Sequence, residues 1–436
     1  MEDPRASFIT AAVWHGSLEQ AQAILAAHPE IAGRDIHLAA LLGDDAGVRR
    51  FLAADPAGAT ATSAPLGWDA LTHLCFSKYL RLDPTRSGGF VRAATALLDA
   101  GASANTGFFD TTHMPKPEYE SVLYGAAGVA HHAELTGLLL DRGADPNDEE
   151  VPYHAPEGYD NAALKLLLES RKLTADSLAT MLLRKADWHD HEGIVLLLDA
   201  GADPNRLTHW GYTALHQALR RDNDLEHIEA MLNHGADPTI VSRDGRSGVR
   251  IAVRRGRRDV LEACERRGIP IRVAGVDRLI AACARNDSAA VQRIRAREPE
   301  LLRELLAEGG TRLAEFTFTA NRDGIRHLLD LGVPVTALYQ GDGYWDIAPG
   351  STALHIAAWR GWHDSLRLLL ERGAPVNVRD SKGRTPLALA VKACVDSYWV
   401  ERRSPESVAA LLKAGASVEG VAPSGYDAVD ELLRGL

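Results

Sequence analysis

LLLDAGADPNRLTHWGYTALHQALR, residues 196–220, is the stretch on which the reading of the chain turns. An apolar triplet, Leu196 to Leu198, runs into Asp199-Ala200-Gly201-Ala202-Asp203-Pro204-Asn205. This is the pattern of a helix with an inward apolar stripe, ended by a glycine that accepts left-handed backbone. The Asp/Asn-rich close then turns the chain. Tyr212-Thr213-Ala214-Leu215-His216 opens the next helix. Thr213 suits the N-cap, and the small and branched residues after it suit a close-packed inner face.

The same phrase returns on both sides. It reads LLDAGASAN (97–105), LLLDRGADPN (138–147), MLNHGADPT (231–239), LLLERGAPVN (368–377) and LLKAGASVE (411–419), with weaker versions at 265–269 and 329–333. The closing glycines at 101, 143, 201, 235, 268, 332, 373 and 415 are spaced 42, 58, 34, 33, 64, 41 and 42. One unit of about 33 residues explains all seven spacings, as single units, pairs of units, or units carrying insertions. The helix opening recurs at Thr352-Ala353-Leu354-His355 and at Thr385-Pro386-Leu387. Neither helix of such a unit buries its apolar face alone, so the units must stack.

This pattern resembles the ankyrin repeat. The resemblance implies an all-α fold: an ankyrin-type helical repeat solenoid, with stacked helix-turn-helix units and short β-hairpin fingers. The match is specific at 206–239, 339–378 and 379–420, good at 106–147, and degenerate at 8–62 and 274–338. About twelve units are expected in one solenoid over 1–436. Its parts are divergent N-terminal repeats (8–62), central repeats with an inserted turn and finger (63–273), degenerate repeats (274–338), consensus-like repeats with insertions (339–420) and a C-terminal cap (421–436). If the array breaks into sub-arrays, 274–338 is the expected place.

The composition fits a folded chain: 46% hydrophobic, 25% charged and 6% aromatic, with a net charge of -11. An acidic balance argues against general nucleic-acid binding. Four cysteines without a C-x-x-C pair read as reduced, buried thiols, and a cytoplasmic location is expected. The acidic start Met1-Glu2-Asp3 lacks the apolar region of a signal peptide, and no apolar run reaches the ~18–20 residues of a membrane helix. Phosphate loops, dinucleotide fingerprints, nucleophile elbows and H-E-x-x-H motifs are missing, so catalysis is not the leading expectation and no cofactor is expected.

Departures from the repeat carry the functional information. Insertions fall at 76–92, 106–121, 339–350 and 395–405. The second and third enlarge fingers and hold Phe108, Phe109, Asp110, His113 and Tyr119, then Tyr339, Asp342, Tyr344, Trp345 and Asp346. Unmodified fingers add Tyr153, His154 and Tyr159, then His209, Trp210 and Tyr212. Exposed Trp and Tyr are enriched at binding hot spots. The expected function is therefore a scaffold that binds another protein or peptide along the concave finger/inner-helix groove. Phe108, Phe109, Tyr153, Trp210, Tyr212, Tyr344 and Trp345 would be anchors, with Asp342 and Asp346 at the rim. The alternative is a small-molecule-binding or catalytic solenoid, its pocket walled by enlarged fingers and His/Asp turns.

Two further clusters stand out. Asp187-Trp188-His189-Asp190-His191-Glu192 holds His189 and His191, the only metal candidates, in an inter-helix turn. Residues two apart on a helix diverge, so no metal is expected, and Asp190 reads as a helix cap. Trp-His and His-His pairs at 14–15, 131–132 and 362–363 look like a habit of the same turn. His216 and His355 are expected to be structural. Segment 240–273 carries ten Arg against four acids. Arg254, Arg255, Arg257 and Arg258 are the candidates there for holding an anion, since guanidinium reads planar anions bidentately.

Overall fold

Each repeat is fixed by local chemistry that the sequence announces. The Thr213 hydroxyl accepts from the His216 backbone N–H at 3.3 Å, and His216 Nδ1 accepts in return from Thr213 N–H at 3.2 Å. Thr352 and His355 repeat the exchange at 3.1 Å, and His355 Nε2 sits 3.2 Å from the Arg384 carbonyl of the next repeat. Both imidazoles are buried. They are structural, as expected.

A computed structural model of the chain describes residues 3–112 and 114–435. His113, named above in the first enlarged finger, lies outside the described residues, as do 1, 2 and 436 at the ends of the expected array. The described helices form twelve successive inner/outer sets, and a lone helix, Asp427–Arg434, follows the last. The chain divides into two compact units, Met1–Asp237 with seven sets and Pro238–Leu436 with five. The division falls at 237/238, not in 274–338. The protein is a mostly helical repeat solenoid. Among the described residues no helix is long and apolar enough to cross a membrane.

The degenerate stretches have a common cause. Where the Gly-Ala close is missing, a proline starts a short helical segment in place of a finger: Pro29–Gly33, Pro56–Ala59 and Pro299–Ala307. Proline suits the first turn because its missing N–H would have had no helical partner.

Consensus repeats are joined by an asparagine staple. The Asn205 amide donates to the Gly235 carbonyl at 2.8 Å and accepts from Asp237 N–H at 2.7 Å. Asn105, Asn147 and Asn377 make the same pair of bonds one repeat onward. The last residue of each Gly-Ala-x-x-Asn phrase thus fixes the spacing to the next repeat.

The inter-helix turns are also structural. Asp190 caps the helix His191–Asp199 through Gly193 N–H at 3.1 Å and pairs with fully buried Lys185 at 2.7 Å. His132 and His363 reach hydroxyls of Ser87 and Ser407 in neighbouring repeats at 2.6 and 2.7 Å. The four cysteines are free and buried.

The first enlarged finger is a true hairpin. Strands β1 (Gly107–Asp110) and β2 (Glu118–Ser121) pair antiparallel, with Phe108 opposite Glu120, Phe109 opposite Tyr119 and Asp110 opposite Glu118. A side chain at Gly107 would lie 2.1 Å from the Glu120 carbonyl, so the strand closes only with glycine there. The second enlarged finger is held by single bridges, Tyr339 to Ser351 and Asp342 to Ile347.

Candidate functional site

In the first unit, β2 sends Glu118 and Glu120 to one face, because side chains two apart on a strand share a side. The chain then enters a π-helical turn, Gly125–Val129, in which a Cβ on Gly128 would lie 2.7 Å from the Tyr124 ring and 2.9 Å from His154. That missing methyl lets Tyr124 and His154 pack with ring centroids 5.2 Å apart. Asp148 accepts from Val151 N–H at 2.7 Å and starts the short helix Glu150–His154, which carries Glu150 toward the finger. One ligand oxygen each from Glu118, Glu120 and Glu150 lie within 4.8 Å of one another.

These groups line a pocket of about 770 Å³. Its walls come from the turn at Trp14 and His15, the finger, the segment around Asp148 to His154, the start of the helix Ala175–Asp187, and His209 with Trp210. Seven lining residues are Asp or Glu and, among the described residues, none is Lys or Arg. Cations stand just behind the walls. Arg206 pairs with Asp176 at 2.6 Å, and the Arg184 guanidinium lies 4.0 Å over the Tyr153 ring.

The crowding of carboxylates sets the protonation states. Glu120 is 2% exposed and its Oε2 has no hydrogen-bond partner. Burial, then repulsion from Glu150, Asp110 and Glu118, raises its pKa to about 8. Burial likewise raises Asp148 to about 6, against hydrogen bonds from Ser121 and Val151. Burial opposes charge on His154, but its hydrogen bonds to Glu150 and Glu157 outweigh that and raise it to about 9. At neutral pH the pocket thus holds the His154 imidazolium among several carboxyl groups.

Of the residues expected to bind a partner, the pocket brings together Tyr153 and Trp210, ring centroids 5.6 Å apart. Tyr153 and His154 stand on a helix, not on a finger: Asp148 starts helix where the consensus would place the hairpin. Phe108 turns inward, stacked on Trp68 at 4.1 Å and edge-on to Phe76 at 5.1 Å. Phe109 is 64% exposed beside Tyr119, and half-buried Tyr212 lies under Arg220.

The second unit corrects the expected anchor at Trp345, which is buried. It packs 5.0 Å from Trp399, and Trp359 Nε1–H donates to its carbonyl at 2.8 Å. Only Tyr344 of that pair is exposed. Asp346 is no open rim contact, because Lys382 and Arg384 pair with it at 2.6 and 2.8 Å. Asp342 accepts from Tyr344 N–H at 3.0 Å inside the finger.

The arginine block is built into the fold. Arg254 bridges Asp277 (2.7 Å) and Glu308 (3.1 Å), and Arg255 meets Glu315 at 2.8 Å. Arg257 meets Asp259 at 2.7 Å, while Arg258 reaches both Glu262 and Asp323. The four guanidiniums thus already hold carboxylates of this chain. His189 and His191 both face His227 and sit outside the carboxylate cluster.

Comparison with known proteins matches this architecture. Residues 182–228 fit the family model of ankyrin repeats in many copies, and residues 279–420 fit that of ankyrin repeats in three copies. The chain is an ankyrin-repeat protein. Its matched segments are 38% identical over 84 residues to Serine/threonine-protein kinase 12 of Arabidopsis thaliana, covering 19% of this chain and 17% of that protein. They are 38% identical over 69 residues to Rabankyrin-5 of Homo sapiens (16% and 6%). They are 33% identical over 86 residues to Protein phosphatase 1 regulatory subunit 12A of Mus musculus (20% and 8%). This ankyrin-repeat protein therefore spans less than a fifth of the length of each of these relatives. A solved ankyrin repeat domain from Acinetobacter baumannii is 21% identical, with TM-score 0.33, over 53% of this chain and 97% of that one.

The carboxylate trio escaped the reading of the sequence. Its signal was present as Glu118-Tyr119-Glu120, an alternation that puts two carboxylates on one face of a strand, and as Asp148-Glu149-Glu150 directly after a repeat close.

Proposed function

We propose that this ankyrin-repeat protein is an interaction scaffold whose first unit receives a basic segment of a partner protein in the pocket under the enlarged finger. One observation carries the proposal: the pocket is lined by seven acidic residues and by Trp14, Tyr124, Tyr153 and Trp210, with no Lys or Arg among its described lining residues. Carboxylates attract an ammonium or guanidinium group, and aromatic faces hold it by cation–π attraction. Aromatic walls also pack the apolar stem of Lys or Arg. A preformed site on a repeat scaffold keeps the ordering cost of binding low.

The test is selection from a displayed random peptide library on the intact chain. Selected peptides should share a Lys or Arg, weaken as salt is added, and bind Trp210→Ala at least about tenfold less tightly. Peptides without a shared basic residue, or with equal affinity for Trp210→Ala, would rule the reading out.

The pocket volume supports a second reading. About 770 Å³ lies within the range of small-ligand sites. A small cationic molecule as the ligand would leave the peptide selection without a recurring sequence, while a panel of free amines would raise the melting temperature.

A further inference from the structure

We propose that Glu118, Glu120 and Glu150 together bind one hard divalent cation, Mg²⁺, Mn²⁺ or Ca²⁺, which ties the enlarged finger to the helix Glu150–His154. This goes beyond partner capture: it concerns the floor of the pocket and stands or falls without a partner.

Geometry comes first. An ion with oxygen ligands at about 2.3–2.6 Å spaces opposed oxygens about 4.6–5.2 Å apart and adjacent ones closer. Three oxygens within 4.8 Å of one another therefore fit a single coordination shell. They come from two separately placed elements, β2 and the helix Glu150–His154, so an ion there joins what the backbone leaves apart.

A second observation points the same way. Glu120 is 2% exposed, lines the pocket, and leaves Oε2 without a donor. Buried polar atoms are nearly always satisfied, so an unmet acceptor facing like charges calls for a cation. Repulsion runs through the whole finger, because Asp110 stands directly opposite Glu118 across the hairpin. Like charges opposed across strands destabilise the pair, and a bound ion removes that cost.

The donor set selects the ion. Three carboxylates with no thiolate suit Mg²⁺, Mn²⁺ or Ca²⁺ better than Zn²⁺, which favours nitrogen and sulfur. His154 is engaged by Glu150 and Glu157, each at 3.1 Å, so it is placed to steady Glu150 and not to ligate. Glu120 faces Asp110 and Glu118 from the finger, and Glu150 and His154 from the adjoining helix, with the Tyr124 phenol also near.

Isothermal titration of the full chain with MgCl₂, MnCl₂ and CaCl₂ tests this directly. At least one of the three ions should saturate at one per chain. Glu120→Gln and Glu150→Gln should each weaken binding at least about tenfold. Circular dichroism confirms that each variant is folded, and either variant alone suffices. Absence of saturable binding up to about 10 mM, beyond the weakest protein Ca²⁺ sites, overturns the proposal. So does unchanged affinity in a folded variant, or binding of spermidine without any of the three ions.

Discussion

Glu120 on the second strand of the finger and Glu150 at the start of the helix Glu150–His154 bring carboxylate oxygens within 4.8 Å of each other. Two acids this close, one of them 2% exposed, cannot both ionise cheaply. The behaviour of this pocket at neutral pH follows from how that repulsion is relieved.

Without divalent ions, Glu120 should weaken the fold as pH rises. Its folded pKa of about 8 lies above the unfolded value, so the native state holds the proton longer. Stability is then fully present below about pH 4.5 and is lost progressively up to about pH 8, by on the order of 3–5 kcal/mol. Urea midpoints measured with EDTA should show Glu120→Gln overtaking the wild type across that window. Parallel pH profiles would count against the burial described here.

His73 should act in the opposite window. It is fully buried, 5.4 Å from His37 and 5.5 Å from Trp68, and burial lowers its pKa to about 4. The unfolded chain takes up a proton near pH 6.5 while the folded one refuses it. Stability therefore falls as pH drops from about 6.5 to about 4, by roughly 3 kcal/mol. His73→Gln should flatten this acid limb, whatever its cost at pH 7.

Each asparagine staple satisfies one carbonyl and one N–H of the next repeat. Asn205→Ala removes the 2.8 and 2.7 Å bonds to Gly235 and Asp237, and should cost about 1–3 kcal/mol in urea unfolding. Surface substitutions on the outer helices should stay within about 0.5 kcal/mol.

Lys185 and Asp190 form a buried pair at 2.7 Å, also tied to the Gly158 carbonyl and the Asn161 amide. Lys185→Met strands the Asp190 carboxylate and should cost about 3–5 kcal/mol. Restoring stability by lowering pH, which neutralises that carboxylate, would identify the stranded charge as the cause.

The repeat was legible because its signals are local. Caps, closing glycines and apolar stripes act within one unit, and Thr213, Gly201 and Leu196–Leu198 do what their chemistry implies. Degenerate stretches were placed, but the proline-started segments that replace fingers were not read. Sites were harder, because they depend on which repeat faces which. Trp345 looked like an exposed anchor, yet it is buried beside Trp399, a residue in a distant insertion. Arg254 looked like an anion binder, yet its carboxylates arrive from Asp277, in the helix Val276–Ala284, and from Glu308, in a turn further along the chain. Glu150 looked like part of a turn until the fold set it against Glu120.

The pocket of the first unit is proposed to select positive charge. The most direct measurement compares the affinity of a library-selected Lys peptide with that of its norleucine counterpart, which keeps the stem and loses the ammonium. A pocket built for cations should bind the norleucine peptide at least about tenfold more weakly at low salt, with the gap narrowing as salt is added. Equal affinities at low salt would contradict the claim.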